Sequence, residues 1–145
     1  MKRNWFSNFY LMDEPMVHSD LGMTLSYPTV EHFFCCMKTE NPEQRIALLD
    51  FISPAKIKVE ARKVKLRPDW HLIKKSVMWT ALCWKFRNNT SHGVNLMNTE
   101  GQIVEWNYWH DNYWGHCVCK KCEDKHKQNI LGKMLVDIRC TLRGG

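Results

Sequence analysis

The chain has 145 residues, enough for one domain with a proper core and too few for two of ordinary size. Its apolar fraction of 44%, with seven tryptophans, excludes a disordered chain, whose composition is poor in rings. No run of about 18 apolar residues offers a membrane span, the start Met1-Lys2-Arg3-Asn4-Trp5 lacks the apolar segment of a secretory leader, and the net charge of +6 suits a phosphate-bearing partner or simply a solvated surface.

In chain order, residues 5–10 are a candidate short strand. Thr29 is a plausible N-cap for a helix of about ten residues ending near Thr39, beginning Val30-Glu31-His32-Phe33-Phe34. Asn41-Pro42 restarts a helix, with Asn as cap and Pro in the first turn, and Ser53-Pro54 repeats that signal. Ile46, Leu48 and Leu49, with Phe51 and Ile52, are expected to bury the second helix, and Ile57 with Ala61 the third. Asp69 is the expected cap of the longest helix, residues 70–86, whose Ile73, Val77, Met78, Ala81, Leu82 and Trp84 form a broad apolar sector. Thr90 or Ser91 starts a short helix toward Met97, Glu100-Gly101 turns the chain, and Ile103-Val104-Glu105-Trp106 reads as a strand. A last helix from about Asn129 to Leu142 carries Ile130, Leu131, Met134, Leu135, Ile138 and Leu142 at helical spacing and stops at Arg143-Gly144-Gly145. With no repeat and no Gly/Ser linker, the expectation is a single domain over residues 1–145, α+β and helix-rich with a minor β component.

Two carboxylates stand out. Helical geometry puts Glu31, Cys35 and Lys38 on one face, about 10 Å from end to end, where an acid and an ammonium line one wall or form an ordinary amphipathic surface. Glu31, beside Pro28 and two phenylalanines, is placed for desolvation toward acid or base work. Asp111 sits among Trp109, Tyr113 and Trp114, rings that stack on a planar heterocycle or else pack as core around a turn-capping aspartate. Cys35 and Cys36 near His32 read as buried core thiols rather than nucleophiles. No Gly-rich phosphate loop is present, so phosphate falls to side chains.

Lacking a leader, the chain is expected in the cytoplasm, with its seven cysteines reduced. Cys117, Cys119 and Cys122, with His116 or His126, offer enough ligands for one tetrahedral zinc. Against that stands the absence of a second Cys-x-x-Cys pair, so no metal and no cofactor is assigned.

The ordered motifs resemble the NADAR or YbiA-like N-glycosidases over nearly the whole chain. Ser7-Asn8-Phe9-Tyr10 is similar to the family's Ser-Asn-Phe, and Tyr27-Pro28-Thr29-Val30-Glu31-His32 with Lys38 to its Pro-x-x-Glu-His helix. Further matches are Ser53-Pro54-Ala55-Lys56 with Arg62, Leu66-Arg67-Pro68-Asp69-Trp70 with Lys74 to Met78, and Lys85-Phe86 with Asn89. Val104-Glu105, Asp111-x-x-Trp114-Gly115, Asn129-x-Leu131-Gly132 and Ile138-Arg139 complete them. The chain departs from the pattern at Cys35, where the family often has Gln, at Ala61 and Lys127, where Gly is usual, and in the cysteine-rich insert after Gly115.

The resemblance implies hydrolysis of an N-glycosidic bond in a phosphorylated ribosyl compound, either a ribosylamino-pyrimidine phosphate of riboflavin synthesis or ADP-ribose on guanine in nucleic acid. It implies Glu31, Trp70, Asp111 and Trp114 as catalytic residues, and Asn8, Lys38, Arg62 and Asn129 as substrate contacts. One carboxylate then stabilises cationic character at the anomeric carbon and positions water, while the other, or a bound solvent, supports proton transfer to the departing base; which does which stays open. Trp70 and Trp114 stack, and Lys38 and Arg62 neutralise phosphate. Two alternatives remain: a module that uses the same aromatic and basic groups to bind ADP-ribose or nucleotides without cleaving them, and a small zinc-stabilised nucleic-acid-binding protein, suggested by the net positive charge and the cluster from Cys117 to His126. No membrane partner is expected, and oligomeric state stays open.

Overall fold

The protein is described here as a computed structural model covering residues 5–144. Met1, Lys2, Arg3 and Asn4, on which the reading of the N-terminus partly rests, and Gly145, the end of the expected helix stop, lie outside them. Among the described residues, six α-helices and two small two-stranded sheets make an α+β, mostly helical chain. None of these helices is long and apolar enough to cross a membrane. The backbone packs as two compact units, Met1–His92 and Gly93–Gly145.

The first unit opens with turns over residues 5–10, not the expected strand. Its backbone donors turn inward on Ser7, with Tyr10 N–H on the Ser7 carbonyl at 3.0 Å and Phe9 N–H on Ser7 Oγ at 3.1 Å. A hairpin that the sequence reading missed follows, β1 (Met16–Asp20) antiparallel to β2 (Met23–Tyr27). Leu21 and Gly22 form its turn at φ 54° and 73°, the paired positive dihedrals of a tight hairpin. Leucine in the first of those positions hides the signal, because Asn or Asp usually stands there.

Helix α1 (Val30–Cys36) starts at the expected Thr29 cap, whose oxygen accepts the His32 N–H, but ends three residues early. Helices α2 (Pro42–Leu49) and α3 (Pro54–Ala61) begin at Asn41 and Ser53 as the Asx-Pro and Ser-Pro signals predict. The apolar stripe assigned to α2 is corrected. Ile46 is 51% exposed and Ile52 89%, while Arg45 is buried beside Leu48. Arg45 spends its Nε on the Thr39 carbonyl at 2.8 Å and its Nη1 on the Asp20 carboxylate at 2.8 Å, and those bonds offset the desolvation of a guanidinium.

Helix α4 (Trp70–Lys85) is the long one, and Asp69 does not cap it. The Asp69 carboxylate faces Arg67 in a two-point pair at 2.6 and 3.2 Å, which holds the acid below the usual carboxylate range. The buried stripe of α4 is Met78, Ala81, Leu82 and Lys85, a helical repeat that ends on an amine.

The second unit begins within helix α5 (Ser91–Met97). The expected strand at residues 103–106 shrinks to β3 (Trp106–Asn107), parallel to β4 (His116–Cys117). A short 3-10 turn follows at Lys120–Cys122, and helix α6 (Ile130–Leu142) closes the chain, with Leu131, Leu135 and Ile138 buried as their spacing predicts.

Candidate active site

Glu31 lies in the first turn of α1, 7% exposed. Its backbone N–H donates to the Asn8 carbonyl at 3.1 Å, so the Ser7-Asn8 loop sits directly on the start of α1. Lys85 fixes that loop from the other side, its ammonium donating to the Ser7 carbonyl at 2.7 Å. A lysine on a core stripe was the legible signal for this contact; the sequence reading named Lys85 only within the Lys85-Phe86 family match and did not expect the bond.

The Glu31 carboxylate accepts a hydrogen bond from the Cys35 thiol at 3.3 Å, one helical turn on. Among the described residues this is the side-chain donor it has. Burial pushes the Cys35 thiol far above its ordinary range, with the Glu31 charge adding to the effect and Lys38 opposing it. Both neighbours therefore act on Cys35, as the shared helix face requires. Burial likewise pushes Cys36 up to about 12, against the nearby Arg45. Neither thiol is poised as a nucleophile, in line with the core reading.

Asn8, whose carbonyl accepts the Glu31 N–H, brings a second polar side chain to this loop. Its Nδ2 reaches only the Met78 sulfur at 3.6 Å, and its buried Oδ1 has no hydrogen-bond partner among the described residues. An amide so placed has capacity left for a ligand or a water. His32, next to Glu31, is fully committed. Its Nδ1 accepts from the Thr29 hydroxyl at 2.7 Å and its Nε2 donates to the Phe51 carbonyl at 2.9 Å, a tautomer assigned from those partners.

Phe34 carries Trp70 edge-on at 4.9 Å between ring centroids and the Lys38 ammonium at 5.4 Å. Trp70 is buried, so it backs this wall. Lys38 stands just past the end of α1, its carbonyl taken by the Arg67 N–H at 2.8 Å. Arg62 is exposed at the C-terminal end of α3. Asn8, Glu31, Lys38 and Trp70 are thus linked through α1 and its neighbours in the first unit, whereas the exposed Arg62 side chain makes no hydrogen bond or ion pair with them among the described residues.

Asp111, Trp114 and Asn129 belong to the second unit. Asp111 Oδ1 accepts the N–H groups of Tyr113 at 3.1 Å and Trp114 at 2.9 Å, which closes the turn that presents both rings. The buried Asn107 clamps the same loop, donating to the Asp111 carbonyl at 2.7 Å and accepting the Asp111 N–H at 3.2 Å. Trp114 is half-buried, edge-on to Tyr113 at 4.8 Å.

Asn129 spends its amide on the backbone. Its Oδ1 accepts the Glu105 N–H at 3.0 Å and its Nδ2 donates to the Ile103 carbonyl at 2.8 Å, with its own backbone left-handed at φ 48°. The N-terminal donors of α6 are met instead by the chain before it. Asn129, Ile130 and Leu131 donate to the carbonyls of Gly115, Tyr113 and Trp114. The Asp111–Trp114 turn is therefore docked on the start of α6. A groove of about 380 Å³ runs beside it, lined in part by Lys127, Asn129, Lys133 and Asp137.

The NADAR domain profile matches residues 1–143. The chain belongs to the NADAR domain family. It is 28% identical to the maize "Riboflavin biosynthesis protein PYRR, chloroplastic", over 96% of this chain but only 23% of that protein, so it spans under a quarter of the relative's length. It is 28% identical to a protein of Nostoc punctiforme named as an N-glycosidase, over 81% of this chain and 75% of the relative. The solution structure of YbiA from E. coli superimposes with a TM-score of 0.72 at 27% identity, covering 96% of this chain and 77% of YbiA. The family and YbiA-like fold expected from the motifs are both present.

Proposed function

We propose that this NADAR chain is an N-glycosidase that cleaves the bond between a phosphorylated ribose and a nitrogen base, with Glu31 acting at the anomeric carbon. The observation that carries the proposal is a buried carboxylate whose side-chain hydrogen-bond donor, among the described residues, is one weak thiol, on a helix start that holds the Asn8 loop, where the Asn8 amide oxygen has no partner among those residues. A carboxylate so buried, with so few donors, keeps acceptor capacity for a substrate or a water. In the reaction, the bond from C1 of the ribose to the base nitrogen breaks, positive charge develops on the ring oxygen and C1, and water delivers hydroxide to C1 while the nitrogen gains a proton. Glu31 stabilises that charge and orients the water. Asn8 holds the sugar or the water, Lys38 neutralises phosphate from its seat on Phe34, and Trp70 keeps that ring wall rigid.

The base is carried, on this proposal, by a nucleic acid. Trp106, Tyr108 and Trp109 in the second unit are 58%, 74% and 58% exposed, a group of solvent-exposed rings, one of them already against His116, that suits unstacked bases better than a small soluble metabolite. The deciding experiment is a parallel assay on ADP-ribosyl-guanine DNA and on a phosphorylated ribosylamino-pyrimidine, with products read by mass spectrometry. Release of free ADP-ribose supports the proposal. Turnover of the pyrimidine alone rejects the nucleic-acid substrate, and binding of ADP-ribosylated DNA with no cleavage in either arm rejects the glycosidase in favour of a binding module.

Asp111 is proposed as a functional carboxylate of the second unit in its own right, and two substitutions separate its charge from its turn. Asp111→Asn keeps an oxygen for the Tyr113 and Trp114 N–H groups, whereas Asp111→Ala removes the acceptor as well. We expect Asp111→Asn to hold its thermal midpoint within a few degrees yet lose about 10²-fold or more in kcat/KM. Asp111→Ala is expected to lose about 1 kcal/mol of stability besides. Activity in Asp111→Asn within a few-fold of the parent would make Asp111 a turn residue only.

A further inference from the structure

Outside the groups used above, the second unit gathers three thiols and an imidazole at one point. His110, Cys117, Cys119 and Cys122 place one ligand atom each within 4.8 Å of all the others. Cys119 Sγ lies 3.2 Å and Cys122 Sγ 3.4 Å from His110 Nδ1. In a tetrahedral zinc site, metal–ligand distances of about 2.3 Å to sulfur and 2.0 Å to nitrogen put neighbouring ligand atoms roughly 3.5–3.8 Å apart. The cluster, with S···N distances of 3.2 and 3.4 Å and all four ligand atoms within 4.8 Å, needs only adjustments of a few tenths of an ångström to about 1 Å to reach that size. We propose that His110 Nδ1 and the Sγ atoms of Cys117, Cys119 and Cys122 bind a structural zinc ion.

The local backbone is organised around this point. His110 takes a left-handed conformation, φ 69°, uncommon for a residue other than glycine though tolerated by histidine. Its N–H donates to Cys117 Sγ at 3.3 Å, the type of outer bond that steadies a thiolate ligand. Asn107 clamps the loop that carries His110, and Asn112 Oδ1 accepts the Cys117 N–H at 3.0 Å. The 3-10 turn at Lys120–Cys122 brings Cys122 back toward Cys119, with the Cys122 N–H on the Cys119 carbonyl at 3.2 Å. All three cysteines are free thiols, and Cys117 and Cys122 are buried.

Three thiolates and one neutral imidazole around a divalent ion carry a net charge of −1. The Lys127 ammonium, donating to the Cys122 carbonyl, stands close enough to offset it. A borderline-soft donor set of this kind selects zinc over the oxygen-seeking cations. Four protein ligands leave no open position, so the ion organises the loop and is no part of the hydrolysis. The histidine is His110, before the cysteines, and neither His116 nor His126, which sequence spacing alone put forward. His116 instead lies against the Trp106 ring at 4.6 Å.

The test is metal content, which is independent of glycosidase activity. Protein purified from zinc-supplemented cells without chelator is expected to hold about one zinc per chain by elemental analysis. Titrating the stripped protein with cobalt(II) should give thiolate-to-metal charge-transfer bands and the intense visible absorption of a tetrahedral site, bleached by zinc. Cys119→Ser and His110→Ala should drop to less than about a tenth of an equivalent, while His116→Ala and His126→Ala keep the wild-type content. Wild-type protein that neither retains zinc nor takes up cobalt with those bands overturns the proposal, even if the variants fail to fold. Loss of metal in His116→Ala or His126→Ala, with His110→Ala unaffected, overturns the ligand assignment.

Discussion

Glu31→Gln is expected to abolish turnover while leaving the protein as stable as the parent or more so. The substitution keeps the shape of the side chain and an oxygen to accept the Cys35 thiol at its present 3.3 Å. The backbone bond from residue 31 to the Asn8 carbonyl is untouched. Two small terms then oppose each other. A negative charge in the first turn of α1 favours the helix by roughly 0.3–1 kcal/mol, which glutamine forfeits. Against this, the side chain is 7% exposed, and removing a poorly paired buried charge recovers desolvation energy of at least similar size. The thermal midpoint should therefore stay level or rise. Catalysis has no such compensation, because a neutral amide cannot stabilise an oxocarbenium-like centre, and kcat/KM should fall by about 10³-fold or more. A variant that is folded by circular dichroism and retains activity within tenfold of the parent would remove Glu31 from the mechanism. A variant that is both inactive and several degrees less stable would show that the acid is there for packing.

Much of the first unit was readable because its signals are local. The caps at Thr29, Asn41 and Ser53 act over three or four residues, and each helix begins where those side chains say. The family motif around Glu31 is also contiguous. What the sequence hid depends on partners far along the chain. Asp69 has the composition of a cap but pairs with Arg67, which leaves the start of α4 without a side-chain acceptor. Arg45 is buried because Asp20, 25 residues away, and the Thr39 carbonyl are there to receive it. No periodicity argument supplies those acceptors, so Ile46 and Ile52 looked like the better core.

The second unit was harder to read for the same reason. Its strands are two residues long, too short to alternate, and residues 103–105 are held by the Asn129 side chain as well as by the bond from the His116 N–H to the Glu105 carbonyl at 2.8 Å. Asn129 was expected among the substrate contacts, yet both ends of its amide are taken by backbone. The histidine of the sulfur cluster likewise lies upstream of the cysteines, across a turn that spacing rules do not span.

Gly132→Ala shows how that backbone clamp decides stability, against what helix propensity alone predicts. Gly132 lies inside α6, where replacing glycine by alanine normally gains about 1 kcal/mol. Here a Cβ would overlap the Ile103 carbonyl oxygen and come within 2.5 and 2.6 Å of the two Asn129 amide atoms. Neither neighbour is a free side-chain tip. The Ile103 carbonyl and the Asn129 amide are bonded to each other at 2.8 Å, and the same amide holds Glu105. Relief therefore requires moving backbone, and overpacking of that kind costs roughly 1–3 kcal/mol or more before the broken hydrogen bonds are added. The clash outweighs the propensity gain, and a net loss of about 2–4 kcal/mol should lower the thermal midpoint by roughly 6 °C or more. Gly101→Ala provides the contrast. Gly101 has open space around it and only its φ of 75° to object, so its cost is conformational and should be about 1–2 kcal/mol. Thermal unfolding of the two variants side by side is the measurement. If Gly132→Ala proves as stable as the parent, the segment at residues 103–105 is not clamped to α6 by Asn129, and the docking of the Asp111 turn on that helix would have to be reconsidered with it.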